Sequence, residues 1–176
     1  MSASPRRRRG RRPLPADQQR RRLLEAAERI FERNHYEGAG IQDIVREAGM
    51  STRSFYQFFD SKEDLVAELI RERAEVLLRE IEEVFRKADH LWDAVGEALR
   101  IYLEALPMVV LDLDRMSGAA SQRVRRLRTA YREKIGEVLV REIDRMAQAG
   151  IVASPPHPLS IALVLAGIEN LSISYH

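Results

Sequence analysis

The sequence contains no cysteine, which excludes disulfides, thiolate metal sites and a cysteine nucleophile. Long hydrophobic runs are missing too. Nothing approaches the roughly 20 apolar residues of a membrane-spanning helix, and the basic start RRRRGRR leads into PLPADQQ rather than into an apolar leader core. A cytoplasmic protein without a membrane partner is expected. The chain offers no nucleophile–base pair, no glycine-rich phosphate loop and no metal set, its four histidines being scattered. Neither an enzyme nor a cofactor-dependent protein is expected. Aromatic residues make up only 6%, yet Phe55, Tyr56, Phe58 and Phe59 crowd into five positions of the polar stretch GMSTRSFYQFF.

At 176 residues and 45% hydrophobic composition, the chain can bury one sizeable core or two compact units of unequal size. Net charge is only +2, but it is unevenly spread. Residues 1–62 hold fourteen basic and eight acidic side chains, and the remainder fifteen and nineteen. A basic front on an acidic body suits a chain whose one end meets a polyanion.

Residues 1–16 combine Ser, Pro, Gly and six arginines with almost nothing to bury, and are expected to be a disordered arm. From Asp17 to about Asn34, Leu23, Ala27, Ile30 and Phe31 follow helical spacing, with Leu24 on the flank. Ile41, Ile44, Val45 and Ala48 make a second, two-turn helix stopped by Gly49. Ser51 stands as the N-cap of a third helix of about seven residues. Its Phe55 and Phe59 share one face, while Thr52, Arg53, Tyr56 and Gln57 lie largely on the other. Ser61 and Asp64 form a capping box for a long fourth helix reaching about Lys87. Further helices are expected over 90–105 and 108–115, then from about Val124 to Met146, ended by Gly150, and finally after the proline-rich corner SPPHP. No period-2 segment competes, so the fold class is all-α. The last helix is apolar nearly all round and must be buried on two sides, one of them against a partner subunit. The arginines 123, 125, 126 and 128 read as a solvated helix face.

A two-turn helix, a turn at Gly49 and a short helix with a polar outer face make a helix-turn-helix, whose second helix enters the major groove. Hydroxyl, guanidinium and amide groups are the types that reach base edges and phosphates. Lys62 and the free N–H groups at the start of the fourth helix offer a second anion site. The domain plan is therefore an arm (1–16), a helix-turn-helix DNA-binding domain (17–62) and a helical ligand-binding and dimerisation domain (63–176). Arg11 and Arg12 of the arm are candidate minor-groove contacts.

From Leu23 to Leu69, and most strongly in IQDIVREAGMSTRSFYQFFDSKEDL, the sequence resembles the TetR-type transcriptional regulators. It supplies Ala48-Gly49-Met50-Ser51, Tyr56, Phe59 and Lys62 at matching spacing. The resemblance implies that Gln42 contacts a base, that Thr52, Arg53, Ser54, Gln57 and Phe58 face the groove, and that Tyr56 and Lys62 contact phosphates. Three positions depart from the family pattern: Gly40 replaces a capping Ser or Thr, Arg53 a small residue, and Phe58 a His or Tyr. The resemblance also implies an apolar small-molecule effector in the second domain, with Trp92, Tyr102, Met108, Met116 and Tyr131 as candidate lining. It further implies a homodimer on a palindromic operator of double-stranded DNA, with a repressor's role. A family member continues past the last helix of this sequence into one more, the two forming the dimer interface. A constitutive DNA organiser without an effector is the alternative.

Overall fold

The computed structural model describes residues 14–105 and 119–174, without the side chains of 119–121 and 169–174. Every regular element among them is a helix: α1 (Ala16–Gly38), α2 (Ile41–Ala48), α3 (Thr52–Phe55), α4 (Lys62–Lys87), α5 (Leu91–Ala105), α6 (Ala119–Gln148) and α7 (Pro158–Ser174). The expected helix over 108–115, Met108, Met116, and the arm with Arg11 and Arg12 lie outside the described residues.

Three apolar clusters hold the helices together. The first joins Leu23, Leu24, Ala27 and Ile30 of α1 to Ile44, Val45 and Ala48 of α2, Phe55 and Phe59, and Leu65 and Leu69 from the first two turns of α4. The second packs Leu77, Ile81 and Phe85 of α4 against Ala94, Ala98 and Tyr102 of α5, Ile135, Val138, Ile143 and Met146 of α6, and Leu165 of α7. The third lies between them: Val66, Ile70 and Ala74 of α4 meet Val124 and Tyr131 of α6, with Phe31 and Tyr36 of α1 against its edge. Helix α4 takes part in all three, so its 26 residues run from the small front unit into the larger bundle.

Local sequence accounts for most of the boundaries. Gly49 ends α2 in the left-handed conformation at φ 63°, and the Met50 amide then bonds back to the Val45 carbonyl at 2.8 Å. The Ser51 hydroxyl accepts from the Ser54 amide, and Ser61 accepts from Asp64, both at 3.1 Å. At Gly40, which has no side chain to cap with, the Asp43 carboxylate reaches back to accept the Gly40 N–H at 3.1 Å.

Three expectations need correcting. Helix α1 does not stop near Asn34 but is broken at His35 (φ 56°, ψ 174°) and resumes to Gly38. Helix α3 has four residues rather than seven. Its chain continues in a tightened coil in which the amides of Gln57 and Phe58 bond three residues back, to Ser54 and Phe55, before Phe59 bonds to Phe55. The arginine face of α6 is not uniformly solvated: Arg123 reaches Asp64 at the start of α4, and Arg128 is half-buried. Among the described side chains of α7 only one side is covered in the single chain. Leu165 is buried, but Leu159 and Leu163 are 73% and 74% exposed.

Candidate nucleic-acid interface

Helix α3 is held from beneath. Phe55 is fully buried and Phe59 nearly so, their ring centroids 5.6 Å apart, and Tyr56 stands edge-on to Phe55 at 5.4 Å. Above this floor, Arg53, Tyr56 and Gln57 are exposed, Tyr56 by 54%. Thr52 and Ser54 are half-exposed and engaged locally. Thr52 accepts from the Gln42 amide at 3.1 Å, and the Ser54 hydroxyl lies 2.9 Å from that of Ser51. Phe58 is half-buried and packs against the first core, so only part of its ring remains for a groove.

Helix α2 is fixed against α1 from outside as well as through the core. Glu47 accepts from Arg29 at 2.8 Å and from Arg33 at 2.6 Å. These two hydrogen bonds hold its carboxyl below the ordinary carboxylate range. Gln42, in the first turn of α2, and Thr52, in the first turn of α3, are joined across the helix-turn-helix, and Arg53, next to Thr52, is exposed. The polar groups presented there match in type those that contact base edges and phosphates.

Lys62 is placed differently from Arg53 and Gln57. Its ammonium donates to the carbonyls of Tyr36 at 2.7 Å and Ala39 at 2.8 Å, and lies 3.9 Å from the centroid of the Tyr36 ring. Burial pushes its pKa down, against the attraction of Glu63 and Glu37. Beside it, the Tyr36 hydroxyl donates to Glu63 at 2.5 Å. Burial works to raise the Glu63 carboxyl, but hydrogen bonds from Tyr36, its own amide and Ser61 together hold it below the ordinary range. The Tyr36 phenol is pushed up by burial and by that carboxylate. No sequence signal marks Tyr36, because its partners lie 26 and 27 residues away.

In the larger unit, α4, α5, α6 and α7 line an open cavity of about 510 Å³. Trp92 and Tyr102 line it together with Ile81, Leu139 and Ile161, and among the described residues no charged side chain takes part. Tyr131 does not reach it. That ring lies instead in the cluster between α4 and α6.

Residues 23–69 match the model of the bacterial regulatory proteins of the tetR family. The HTH-type transcriptional regulator YfiR of Bacillus subtilis is 27% identical over 143 residues, covering 77% of this chain and 66% of that protein. The HTH-type transcriptional activator FasR of Mycolicibacterium smegmatis is 35% identical over 79 residues, covering 45% of this chain and 36% of its own. The chain thus spans less than two thirds of the length of these relatives. Among solved structures, a TetR-family regulator from Mesorhizobium loti superposes with a TM-score of 0.67 at 18% identity, covering 88% of this chain and 78% of that one. FadR of Bacillus subtilis, in complex with stearoyl-CoA, superposes with a TM-score of 0.66 at 16% identity, covering 86% and 83%. At such identities the superpositions speak to the fold. Residues 23–69 thus carry a helix-turn-helix of the tetR-family type, and the helical bundle behind it has the fold of the TetR-family structures.

Proposed function

We propose that the protein is a cytoplasmic, homodimeric repressor that binds an inverted-repeat operator and is released by an apolar effector. The observation that carries the DNA contact is the division of α3 and of the coil that follows it to Phe59. Phe55 and Phe59 anchor it in the core while Arg53, Tyr56 and Gln57 are exposed on its outer side. In this reading Gln42, Thr52, Arg53 and Gln57 address base edges, with Ser54 and the exposed part of Phe58 beside them, and Tyr56 contacts a phosphate. Two such heads one turn of DNA apart, about 34–36 Å, read the two half-sites. The second copy covers the exposed Leu159, Leu163 and Val164 of α7.

The effector occupies the cavity lined by Trp92 and Tyr102. A wall without charges selects an aliphatic body, and the stearoyl-CoA bound to FadR of Bacillus subtilis makes a long acyl chain the first probe. Occupation acts on α4, which forms one wall through Ile81 and whose first turns belong to the DNA-binding core. Release requires that the effector bind the DNA-free arrangement more tightly than the DNA-bound one.

The test is selection of bound duplexes from a random DNA pool, followed by titration of the selected duplex with stearoyl-CoA. An inverted repeat bound by two chains, and lost on addition of the acyl compound, is the expected result. A pool that never enriches overturns the DNA reading. Unchanged DNA binding and melting temperature across a series of acyl lengths overturn the effector reading.

A further inference from the structure

The break in α1 coincides with the point where Lys62 is buried. His35 sits at φ 56°, ψ 174°, a region that side chains other than hydrogen strain to occupy. The next residue, Tyr36, carries a carbonyl at the end of α1, where carbonyls lack helical partners and the helix dipole is negative. The Ala39 amide donates to that carbonyl at a long 3.4 Å. The Lys62 ammonium supplies the better donor to that oxygen at 2.7 Å, and a second bond at 2.8 Å to Ala39, the residue just before the Gly40 cap of α2. With the Tyr36 ring against it and the Tyr36 hydroxyl on Glu63, the first turn of α4 grips both sides of the corner between α1 and α2.

We propose that Lys62 is a positioning residue for DNA recognition: its ammonium holds the strained α1–α2 corner, setting the direction in which α2 and α3 leave it, rather than contacting a phosphate. This rests on the DNA-binding reading above. A charge-assisted pair of bonds in a half-buried setting is a strong local constraint. Breaking it to reach DNA takes the charged donor away from both carbonyls at the corner that must stay rigid. The effect on DNA is therefore exerted through the placement of Gln42, Thr52 and Arg53.

Two variants of the full chain, Lys62→Met and Lys62→Arg, separate the roles. The probes are a duplex selected from a random pool by the wild-type chain and a random-sequence duplex, each titrated over salt. In Lys62→Met, affinity for the selected duplex is expected to fall about tenfold with an unchanged slope of log K against log salt, and the random duplex to be affected less. In the DNA-free protein, amide exchange over residues 36–42 is expected to quicken. A lost phosphate contact instead lowers the slope by about 0.9 for both duplexes and leaves exchange in the free protein unaltered, and that pattern overturns the proposal. Lys62→Arg keeps the charge but replaces a compact, half-buried ammonium with a larger planar guanidinium whose donors lie in a different geometry, so the same loss is expected. Wild-type affinity in that variant also overturns it, and this arm decides the matter if Lys62→Met does not fold. Should the wild-type chain enrich no duplex, the DNA reading and this proposal fall together. Unaltered exchange alongside intact DNA binding sinks this proposal alone.

Discussion

The side-chain amide of Gln42 donates to the hydroxyl of Thr52 at 3.1 Å, tying the first turn of α2 to the first turn of α3 across the Gly49 turn. Both residues belong to the proposed reading edge, so they present their remaining donors and acceptors as a unit. Groups joined this way are expected to act non-additively, with a coupling of about 0.5–3 kcal/mol. A double-mutant cycle of Gln42→Ala and Thr52→Ala on the selected duplex measures it. Losses that simply add show that the two residues act independently.

The two faces of α3 are expected to separate stability from binding. Phe55→Ala removes a fully buried ring and should destabilise the fold by about 3–5 kcal/mol, as chemical denaturation reports. Arg53→Ala, at an exposed position, should change stability by less than about 0.5 kcal/mol. It should instead relax sequence preference at one base position of the selected site.

Gly49 is needed for its backbone, not for space. A Cβ added there meets nothing within 4 Å, but φ is 63°. Gly49→Ala is therefore expected to cost about 1 kcal/mol through left-handed strain alone. A loss of several kcal/mol in a melting experiment points to a clash and contradicts the geometry.

Acid should loosen the corner between α1 and α4. The folded Glu63 carboxyl lies below its ordinary value, so its contribution is complete above the unfolded value of about 4.3. It is lost as pH falls through the folded value below that. Unfolding free energy followed from pH 6 to pH 3 should decline, and Glu63→Gln should make the decline shallower. An identical pH profile for the two proteins removes Glu63 from the account.

The exposed side of α7 should govern assembly. Leu163, 74% exposed in the single chain, is expected at the proposed dimer contact, where a buried unpaired carboxylate is costly. Leu163→Glu should yield a helical monomer by sedimentation velocity. A dimer of unchanged mass places the interface elsewhere.

The helices were legible because their signals are local. The 3.6-residue stripes, Gly49, Ser51 and the Ser61–Asp64 pair marked α2, the start of α3 and all of α4, whose predicted end at Lys87 matches the structure. The split of residues 53–59 into buried phenylalanines and exposed Arg53 and Gln57 was legible for the same reason, since the coil beyond α3 still bonds Phe59 back to Phe55 and keeps residues four apart on one face. Tyr131 shows where this stops. An aromatic on a helix stripe is recognisably inward-facing, but which interior it enters depends on the neighbour of α6 at that level, and it met α4 and α1 rather than the cavity.

By itself, then, the sequence determined the all-helical class, the helix-turn-helix and its polar outer edge, because side chains within one or two turns dictate those features. Only the tertiary structure decided that α1 breaks at His35 and that the Lys62 ammonium turns inward to Tyr36 and Ala39. It alone also decided that Trp92 and Tyr102 share a cavity that Tyr131 does not enter. These outcomes depend on groups far apart along the chain. Their meeting is set by how whole helices pack and by which buried polar groups must find partners, and spacing along one helix carries no record of either.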